Sequence, residues 1–461
     1  MKQKIVLIAV IALALFMRSY QYLERYSYAH DTDLAAWIVK DIVVDGHNRL
    51  IGQLTSAPGI FIGSLFYYMQ IPFFLVTHMD PVGTVWLAVA IGITATVSMY
   101  FIGGLIAGWL YAGSFLISST ERDVVPTTLV MLWAVWFYRS LFGVWNGEKK
   151  WLFVFAILTG FIWHINLALV LGTPLVLIAI IKNFRKFGWK NVCLAAVLVL
   201  VLNIPFLVFE ARHDFIQIRS LVGNTTVLGR VGKFNQTIRY AMVNANRIFK
   251  SDDISLPLWL IPSILILSIL AFHQRKFLVL GWMGLYVIFF SLHPLPLSEY
   301  YLNGLTVVWV VAASLLLQKL PKWLCGLALL LFAYHNVLLL FNFKTNGNGY
   351  LARRQLVGEI KQDAARHNYP CVAVSYITDI GYNLGYRYLY VMEGMKVNKP
   401  NIDTPVYSIV FPISKVGRVD KTYEALGLVY PDYERYSLDK ITKACTGANQ
   451  NLIEPMFGFT K

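Results

Sequence analysis

Charged residues are scarce in this sequence. Only 14% of its 461 residues are Asp, Glu, Lys or Arg, whereas 57% are hydrophobic. Because a soluble domain ordinarily carries about 25% charged residues, this deficit excludes an ordinary soluble protein and predicts an integral membrane protein. A spanning helix needs roughly 20 largely apolar residues. The clearest apolar runs are Ile5–Met17, Val192–Val208, Leu256–Phe272 and Trp323–Phe343.

Cysteine is also scarce, with four residues in the chain. Cys193 and Cys325 lie in apolar runs, where a free thiol behaves as a small hydrophobic group. Cys371 and Cys445 lie in a polar region, where an oxidising compartment would permit a disulfide, but sequence alone leaves their separation open. No Cys/His spacing indicates zinc. We therefore predict no metal site or other cofactor, although acidic loops could hold a divalent ion.

Acidic residues are fewer than basic ones, which gives a net charge of +15. Such a charge could indicate a nucleic-acid partner, but in a membrane protein Lys and Arg collect in short cytoplasmic loops. We predict eleven spans, over residues 4–18, 82–103, 105–120, 125–141, 151–166, 167–182, 190–209, 255–272, 277–292, 300–317 and 322–343. With a cytoplasmic N-terminus, the inside loops hold Lys2, Lys4, Arg139, Lys149, Lys150, Lys182, Arg185, Lys186, Lys190, Arg275, Lys276, Lys319 and Lys322. This pattern favours a multi-pass protein of the cell membrane and no nucleic acid.

Two long loops, 18–81 and 210–254, then lie outside the cytoplasm together with a polar tail. Within the first loop, Gly59–Val76 is apolar enough to span but contains Pro72 and would invert the charge pattern if it did. We therefore predict that residues 57–77 form an interfacial or re-entrant segment packed against the bundle.

The composition changes at residue 344, where polar residues become frequent. Leu351–Arg366 has the periodicity of an amphipathic helix, whereas Cys371–Tyr376 and Val406–Phe411 are typical of strands. The predicted fold class is an all-α polytopic membrane bundle, residues 1–343, with a small extracytoplasmic α/β domain, residues 344–461. Twelve of the 26 tyrosines lie in this tail. They either pack in its core and surface or form a surface that faces carbohydrate or lipid headgroups.

The first segment with chemical potential is His30-Asp-Thr-Asp-Leu-Ala-Ala-Trp, at the start of the first exterior loop. Apolar spacing predicts an amphipathic helix in the membrane interface. Asp31 and Asp33 stand at its start, where Asp commonly caps the free backbone N–H groups. The alternative is a carboxylate at the membrane surface that removes a proton from an acceptor hydroxyl.

The second segment, Phe209-Glu-Ala-Arg-His-Asp-Phe, closes the seventh span. Arg212 and His213 could anchor the helix end at the interface, as Arg commonly does. They could instead bind a phosphate, since Arg gives bidentate, charge-assisted hydrogen bonds to phosphate oxygens. Further candidates for the same exterior surface are Glu121, Asp123, Glu210, His293 and Glu299.

Four features in order resemble the GT-C membrane glycosyltransferases, in particular bacterial relatives of protein O-mannosyltransferases and the lipid A aminoarabinose transferase. They are HDTDLAAWIVKDI after the first span, APGIFIGSLFYYMQIPFF in the same loop, FEARHDF at a later span's end and EYYLNG opening the tenth. The resemblance covers most of residues 1–310. It implies that Asp31 is the catalytic acidic residue, with Asp33 as second candidate, and that Glu121 or Asp123 stands in for an acidic residue of the family's second exterior loop.

The resemblance also implies a function. It predicts a hexosyl- or pentosyl-type transferase of the cell envelope that moves a sugar from a polyprenyl-phosphate carrier to a glycan, lipid or protein acceptor. Arg212 and His213 would bind the donor phosphate, and membrane lipids would surround the bundle. Three alternatives stay open: a transporter or flippase of lipid-linked sugars, an oligosaccharide polymerase or ligase, and a non-catalytic membrane scaffold.

Overall fold

The computed structural model describes residues 2–55, 57–224, 233–249, 256–293 and 297–446. The helices of the membrane part and its loops are α1 Lys2–Ser19, α2 His30–Val43, α3 Leu65–Val76, α4 Thr84–Gly113, α5 Phe115–Arg122, α6 Val130–Trp145, α7 Lys149–Ile165, α8 Thr173–Lys182, α9 Phe184–Phe187, α10 Trp189–Leu202, α11 Ile204–Arg212, α12 Ile216–Asn224, α13 Lys233–Phe249, α14 Leu260–Phe272, α15 Lys276–Leu292, α16 Thr306–Leu317 and α17 Lys322–Asn342. The C-terminal helices are α18 Tyr350–Arg366, α19 Arg387–Met392 and α20 Leu438–Ala444. The strands are β1 Ile51–Leu54, β2 Phe61–Gly63, β3 Val372–Thr378, β4 Val397–Asn398, β5 Val406–Phe411, β6 Lys421–Tyr423 and β7 Leu426–Val429.

Apolar helices make the first three quarters of the chain a membrane bundle. Among the described residues, four helical segments are long and apolar enough to cross a membrane, and a bent pair makes a fifth. Several other predicted spans coincide with apolar helices that are too short for this test, such as α14 and α15. The membrane location is therefore supported, whereas the count of eleven spans is not confirmed.

One of the four segments folds back on itself. Gly104 breaks α4 with a φ of 85°. A Cβ added to Gly108 would lie 2.9 Å from the Cα of Tyr100. Residues eight apart in a continuous helix are about 12 Å apart, so the two halves of α4 must pack side by side. The chain therefore reverses at Gly104, between the predicted spans 82–103 and 105–120.

The predicted seventh span is broken into α10 and α11, which meet at an angle of 59°. Pro205 lies in the first turn of α11 and has no N–H to continue the hydrogen bonding of α10. The side-chain amide of Asn203 donates to the carbonyls of Val199 and Gly160 instead. After the bend, α11 packs with Phe209 against Ile51 and Phe61 of the segment between α1 and α4.

The segment between α1 and α4, predicted to be the first exterior loop, contains α2, a β-hairpin and α3. Strands β1 and β2 pair antiparallel. The twelve residues of α3 extend about 18 Å, short of the ~30 Å hydrocarbon core. The apolar face of α2 packs on the hairpin, on α3 and on Tyr388 of the C-terminal region. Residues 57–77 thus form a strand and a short helix packed against the bundle.

Residues 350–446, here called the C-terminal unit, form a five-stranded sheet in the order β4-β3-β5-β7-β6 with α18 packed against it. Strands β3, β4 and β5 are parallel, and β7 runs antiparallel to both β5 and β6. The predicted helix and both predicted strands are confirmed. Cys371 and Cys445 form a disulfide.

Several tyrosines of the C-terminal unit donate hydrogen bonds to its own carboxylates. Tyr407 and Tyr433 donate hydrogen bonds to the carboxylate of Asp363, at 2.7 and 2.8 Å. Tyr430 donates in the same way to Glu359, at 2.9 Å. These contacts favour packing as the reason for the many tyrosines.

Candidate active site

Asp31 stands in the first turn of α2 and its side chain is exposed. The helix does not use it as a cap, because Ala29 is the N-cap residue and its N–H donates to the hydroxyl of Thr32, at 2.7 Å. The carboxylate of Asp31 instead accepts a hydrogen bond from the amide of Gln53 on β1, at 3.0 Å. A solvent-facing carboxylate at the positive end of a helix can take a proton from a bound hydroxyl group.

Asp33 points the opposite way, because residues two apart on a helix are about 200° apart around its axis. It is buried, and its carboxylate accepts hydrogen bonds from the Tyr28 hydroxyl at 2.8 Å and the Tyr388 backbone N–H at 3.1 Å. Burial raises the pKa of Asp33 to about 6, although both hydrogen bonds and the charges of Arg353 and Arg387 oppose the rise. Asp33 therefore joins α2 to the C-terminal unit, away from solvent.

The raised pKa of Asp33 predicts that the C-terminal unit docks more weakly as pH rises. The folded protein holds this proton up to about pH 6, whereas the unfolded chain loses it near 3.8. The stabilising contribution is therefore complete below about pH 4 and is lost as pH rises through 6. From pH 7.5 to 4.5 we expect a gain on the order of 2 kcal/mol.

Amide hydrogen exchange of α19 measured across this pH range tests the prediction. Asp33→Asn keeps an oxygen for Tyr28 and Tyr388 but cannot ionise, so the variant should lose this part of the pH dependence. Equal pH dependence in the variant and the wild type would contradict the assignment.

Glu121 and Asp123 at the end of α5 have different surroundings. Glu121 is buried and forms an ion pair with Arg18 of α1, in addition to a hydrogen bond from Tyr111. Its carboxylate thus fixes α1 against α5 inside the bundle, because a buried charge needs such partners. This position gives Glu121 a structural contact and no exposure to the candidate site.

Asp123 remains open to solvent, and Ser27 donates a hydrogen bond to it at 3.1 Å. Surrounding protein atoms nevertheless remove hydration from its carboxylate, which raises its pKa. The charge of Asp31 adds to this rise, whereas Ser27 and Arg122 oppose it. Asp31 and Asp123 are therefore electrostatic neighbours.

The end of α11 supplies the predicted phosphate-binding residues. Arg212 is exposed, and its guanidinium has no hydrogen bond or ion pair within the described residues. The ring of His213 stacks on Phe209 at 4.1 Å, and its Nδ1 donates to the Phe209 carbonyl at 2.9 Å. Glu210 is buried and accepts the backbone N–H groups of residues 217 and 218. Glu210 thus shapes the turn into α12, while Arg212 is available to a ligand.

The β-hairpin connects this helix end to Asp31. Phe61 of the hairpin packs on Phe209 with 5.9 Å between ring centroids, and its N–H donates to the side chain of Gln217. Gln53 of the same hairpin holds Asp31. The hairpin therefore contacts both Asp31 and the two helices that flank Arg212, α11 and α12.

The remaining candidates, His293 and Glu299, lie beside the tenth predicted span. The carbonyl of His293 accepts a hydrogen bond from Lys233 at 2.8 Å, and its ring packs against Phe289. The backbone of Glu299 begins the 3-10 helix Glu299–Leu305, but its side chain is outside the described part of the structure. Neither is placed beside Asp31 by a contact of the described residues.

Sequence reasoning missed Gln53 and Tyr67, which surround Asp31. Both lie in a largely apolar stretch of the sequence. A glutamine is unusual there, and its position directly after Gly52 is the one feature that could have indicated a special contact of Gln53. For a metal, no group of three His, Cys, Asp or Glu side chains comes together in the described ranges.

No family model and no curated protein matches the sequence. Solved structures do match it. ArnT from Cupriavidus metallidurans, bound to undecaprenyl phosphate, aligns over 95% of this chain and 99% of its own with a TM-score of 0.54 and 12% identity. The apo state of ArnT gives a TM-score of 0.56 over the same shares. The chain has the fold of GT-C membrane glycosyltransferases.

The GT-C fold confirms the resemblance found in the sequence at the level of structure. A third match is the apo oligosaccharyltransferase of Archaeoglobus fulgidus, with 11% identity, a TM-score of 0.45, and coverage of 83% of this chain and 63% of that one. At this identity the alignment with ArnT establishes the architecture of a GT-C protein, and the chemistry has to be argued from the site itself.

Proposed function

We propose that the chain is a glycosyltransferase that moves a hexose- or pentose-type sugar from a polyprenyl-phosphate carrier to an acceptor hydroxyl on the exterior face of the cell membrane. The observation that carries the proposal is the exposed carboxylate of Asp31, which accepts a hydrogen bond from Gln53 of the hairpin and has Asp123 as an electrostatic neighbour. The same hairpin packs on Phe209 of α11, the helix that ends at Arg212. ArnT, which has the same fold, was solved with undecaprenyl phosphate bound.

The proposed reaction is a direct displacement at the anomeric carbon of the sugar. Asp31 removes the proton of the acceptor hydroxyl, whose oxygen bonds to this carbon while the bond to the phosphate oxygen breaks. The electron pair of that bond stays on the phosphate, so negative charge grows there in the transition state. Arg212 meets this charge with two parallel N–H donors, which accelerates the step. His213 contributes less, because its ring already donates the Nδ1 proton to the carbonyl of Phe209.

The lipid-linked donor follows from the side of the membrane on which the site would lie. Nucleotide sugars are normally absent outside the cytoplasm, so a transferase there needs a donor that has crossed the bilayer. An exterior position of the C-terminal unit is supported by the Cys371–Cys445 disulfide, since such bonds persist in oxidising compartments. With an odd number of spans, such as the eleven predicted, the N-terminus is then cytoplasmic. The acceptor can be a glycan, a lipid or a protein, provided that it offers a hydroxyl.

Purified protein in lipid vesicles, supplied with radiolabelled polyprenyl-phosphate sugars and candidate hydroxyl acceptors, tests the proposal. We expect label in the acceptor and one polyprenyl phosphate released per transfer. Movement of intact donor across the vesicle without bond cleavage would indicate a flippase instead. Turnover of pyrophosphate-linked donors alone would indicate a polymerase or ligase. If neither transfer nor movement of the donor is detected, the non-catalytic scaffold is the alternative that remains.

A further inference from the structure

Gln53 connects Asp31 to a buried tyrosine. Its side-chain Nε2 lies 3.0 Å from the Oδ1 of Asp31, and its Oε1 lies 3.1 Å from the hydroxyl of Tyr67. The backbone N–H of Gln53 also donates to that hydroxyl, at 3.2 Å. Tyr67 is completely buried in α3, so one end of this chain of hydrogen bonds is fixed in the protein core.

The contacts leave one consistent assignment of donors and acceptors. An ionised Asp31 can only accept, so the amide nitrogen of Gln53 must face it and the amide oxygen must face Tyr67. The Tyr67 hydroxyl then donates to this oxygen and accepts the backbone N–H of Gln53. Burial raises the pKa of Tyr67, so its proton stays in place over the whole range in which enzymes work.

Gly52 makes the close approach of Tyr67 to β1 possible. A Cβ at this position would lie 2.1 Å from the Cε2 of the Tyr67 ring. The glycine therefore lets the ring lie against the strand and lets its hydroxyl reach Gln53. Tyr67 thus holds Gln53 at two points, the side-chain Oε1 and the backbone N–H, and the side-chain N–H₂ group is directed at Asp31 before any ligand binds.

We propose that Gln53 is a positioning residue for the base: it orients the Asp31 carboxylate and leaves the second carboxylate oxygen to the acceptor hydroxyl. This inference depends on the proposed function, in which Asp31 takes the acceptor proton. A donor N–H to one oxygen of a carboxylate favours its charged form over the protonated one. A variant that loses this donor, beside the like charge of Asp123, should therefore need a higher pH for transfer than the wild type.

The test is the pH profile of kcat/KM for sugar transfer. Gln53→Met keeps the length of the side chain but removes the donor, and we expect the acid limb of the profile to move up by about one pH unit. Tyr67→Phe removes the hydroxyl that holds the side-chain oxygen of Gln53, and it should move the acid limb in the same direction by a smaller amount. Gln355→Met, on the exposed surface of α18, is the control and should leave the limb in place.

Gln53→Glu is the second variant if Gln53→Met does not fold. It places a like charge beside Asp31 and should move the acid limb further upward. An unmoved limb in a folded Gln53 variant would overturn the positioning role, whatever the loss in rate. Failure of the proposed function looks different, because Asp31→Asn would then transfer sugar at the wild-type rate.

Discussion

Replacement of Asp31 by Asn is expected to lower the rate of sugar transfer roughly 100- to 10,000-fold, the usual contribution of a positioned general base. The amide has nearly the shape of the carboxylate, but it cannot accept the proton of the acceptor hydroxyl. Folding and donor binding should be retained, because Asp31 is exposed and has one hydrogen bond, to Gln53. Initial rates at saturating donor, together with donor binding by the inactive variant, measure the two effects separately.

Two other Asp→Asn variants on α2 complete this experiment. Asp45, which follows the helix and pairs with Lys40 at the surface, is the matched control and should keep full activity after substitution. Asp33, the second catalytic candidate in the sequence, is buried against Tyr28 and Tyr388, so Asp33→Asn should keep most of the activity. An inactive Asp33→Asn beside an active Asp31→Asn would transfer the role to Asp33.

Replacement of Arg212 by Ala should reduce kcat/KM for the lipid-linked donor about 100-fold, which corresponds to roughly 3 kcal/mol of transition-state stabilisation. The guanidinium is exposed and has no partner among the described residues, so its removal leaves no protein group unpaired. Stability should therefore change little. Steady-state kinetics over a range of donor concentrations, with thermal unfolding as a check, make the measurement.

Arg212→Lys distinguishes a phosphate contact from simple surface charge. Lysine keeps the positive charge but lacks the two parallel donors, so about a tenfold loss should remain. Arg219, on the next helix and also exposed, provides the control, since Arg219→Ala removes the same charge from the same surface. Equal losses at positions 212 and 219 would argue for general attraction to an anionic membrane and against a site at Arg212.

Periodicity and backbone chemistry made much of the fold predictable. The strand Val406–Phe411 and the helix that ends at Arg366 follow directly from their apolar spacing. The reversal at Gly104 falls between the predicted spans 82–103 and 105–120. The sequence predicts one unbroken span over residues 190–209, however, and the structure bends it beside Pro205, which lacks the N–H that a continuous helix needs.

The candidate site was harder to predict because its contacts join distant parts of the chain. Sequence placed Asp31 and Asp33 together, but only the packing of Tyr388 shows which of them is covered. Glu121 looked like a surface acid until the fold paired it with Arg18, 103 residues earlier. An acidic residue in a short turn has the same local sequence whether it is exposed or buried in an ion pair, so the spacing of residues cannot distinguish the two cases.

The bond between Asp33 and Tyr388 also has a consequence for biosynthesis. It joins residues 355 positions apart, so the start of α2 leaves the ribosome long before the segment that covers it. Until that segment arrives, Asp33 lacks the hydrogen bond from the Tyr388 N–H, and the start of α2 is held only by contacts within its own part of the chain, such as those from Tyr28 and Gln53. The loop that carries Asp31 should therefore mature last, after all of the membrane helices have been inserted.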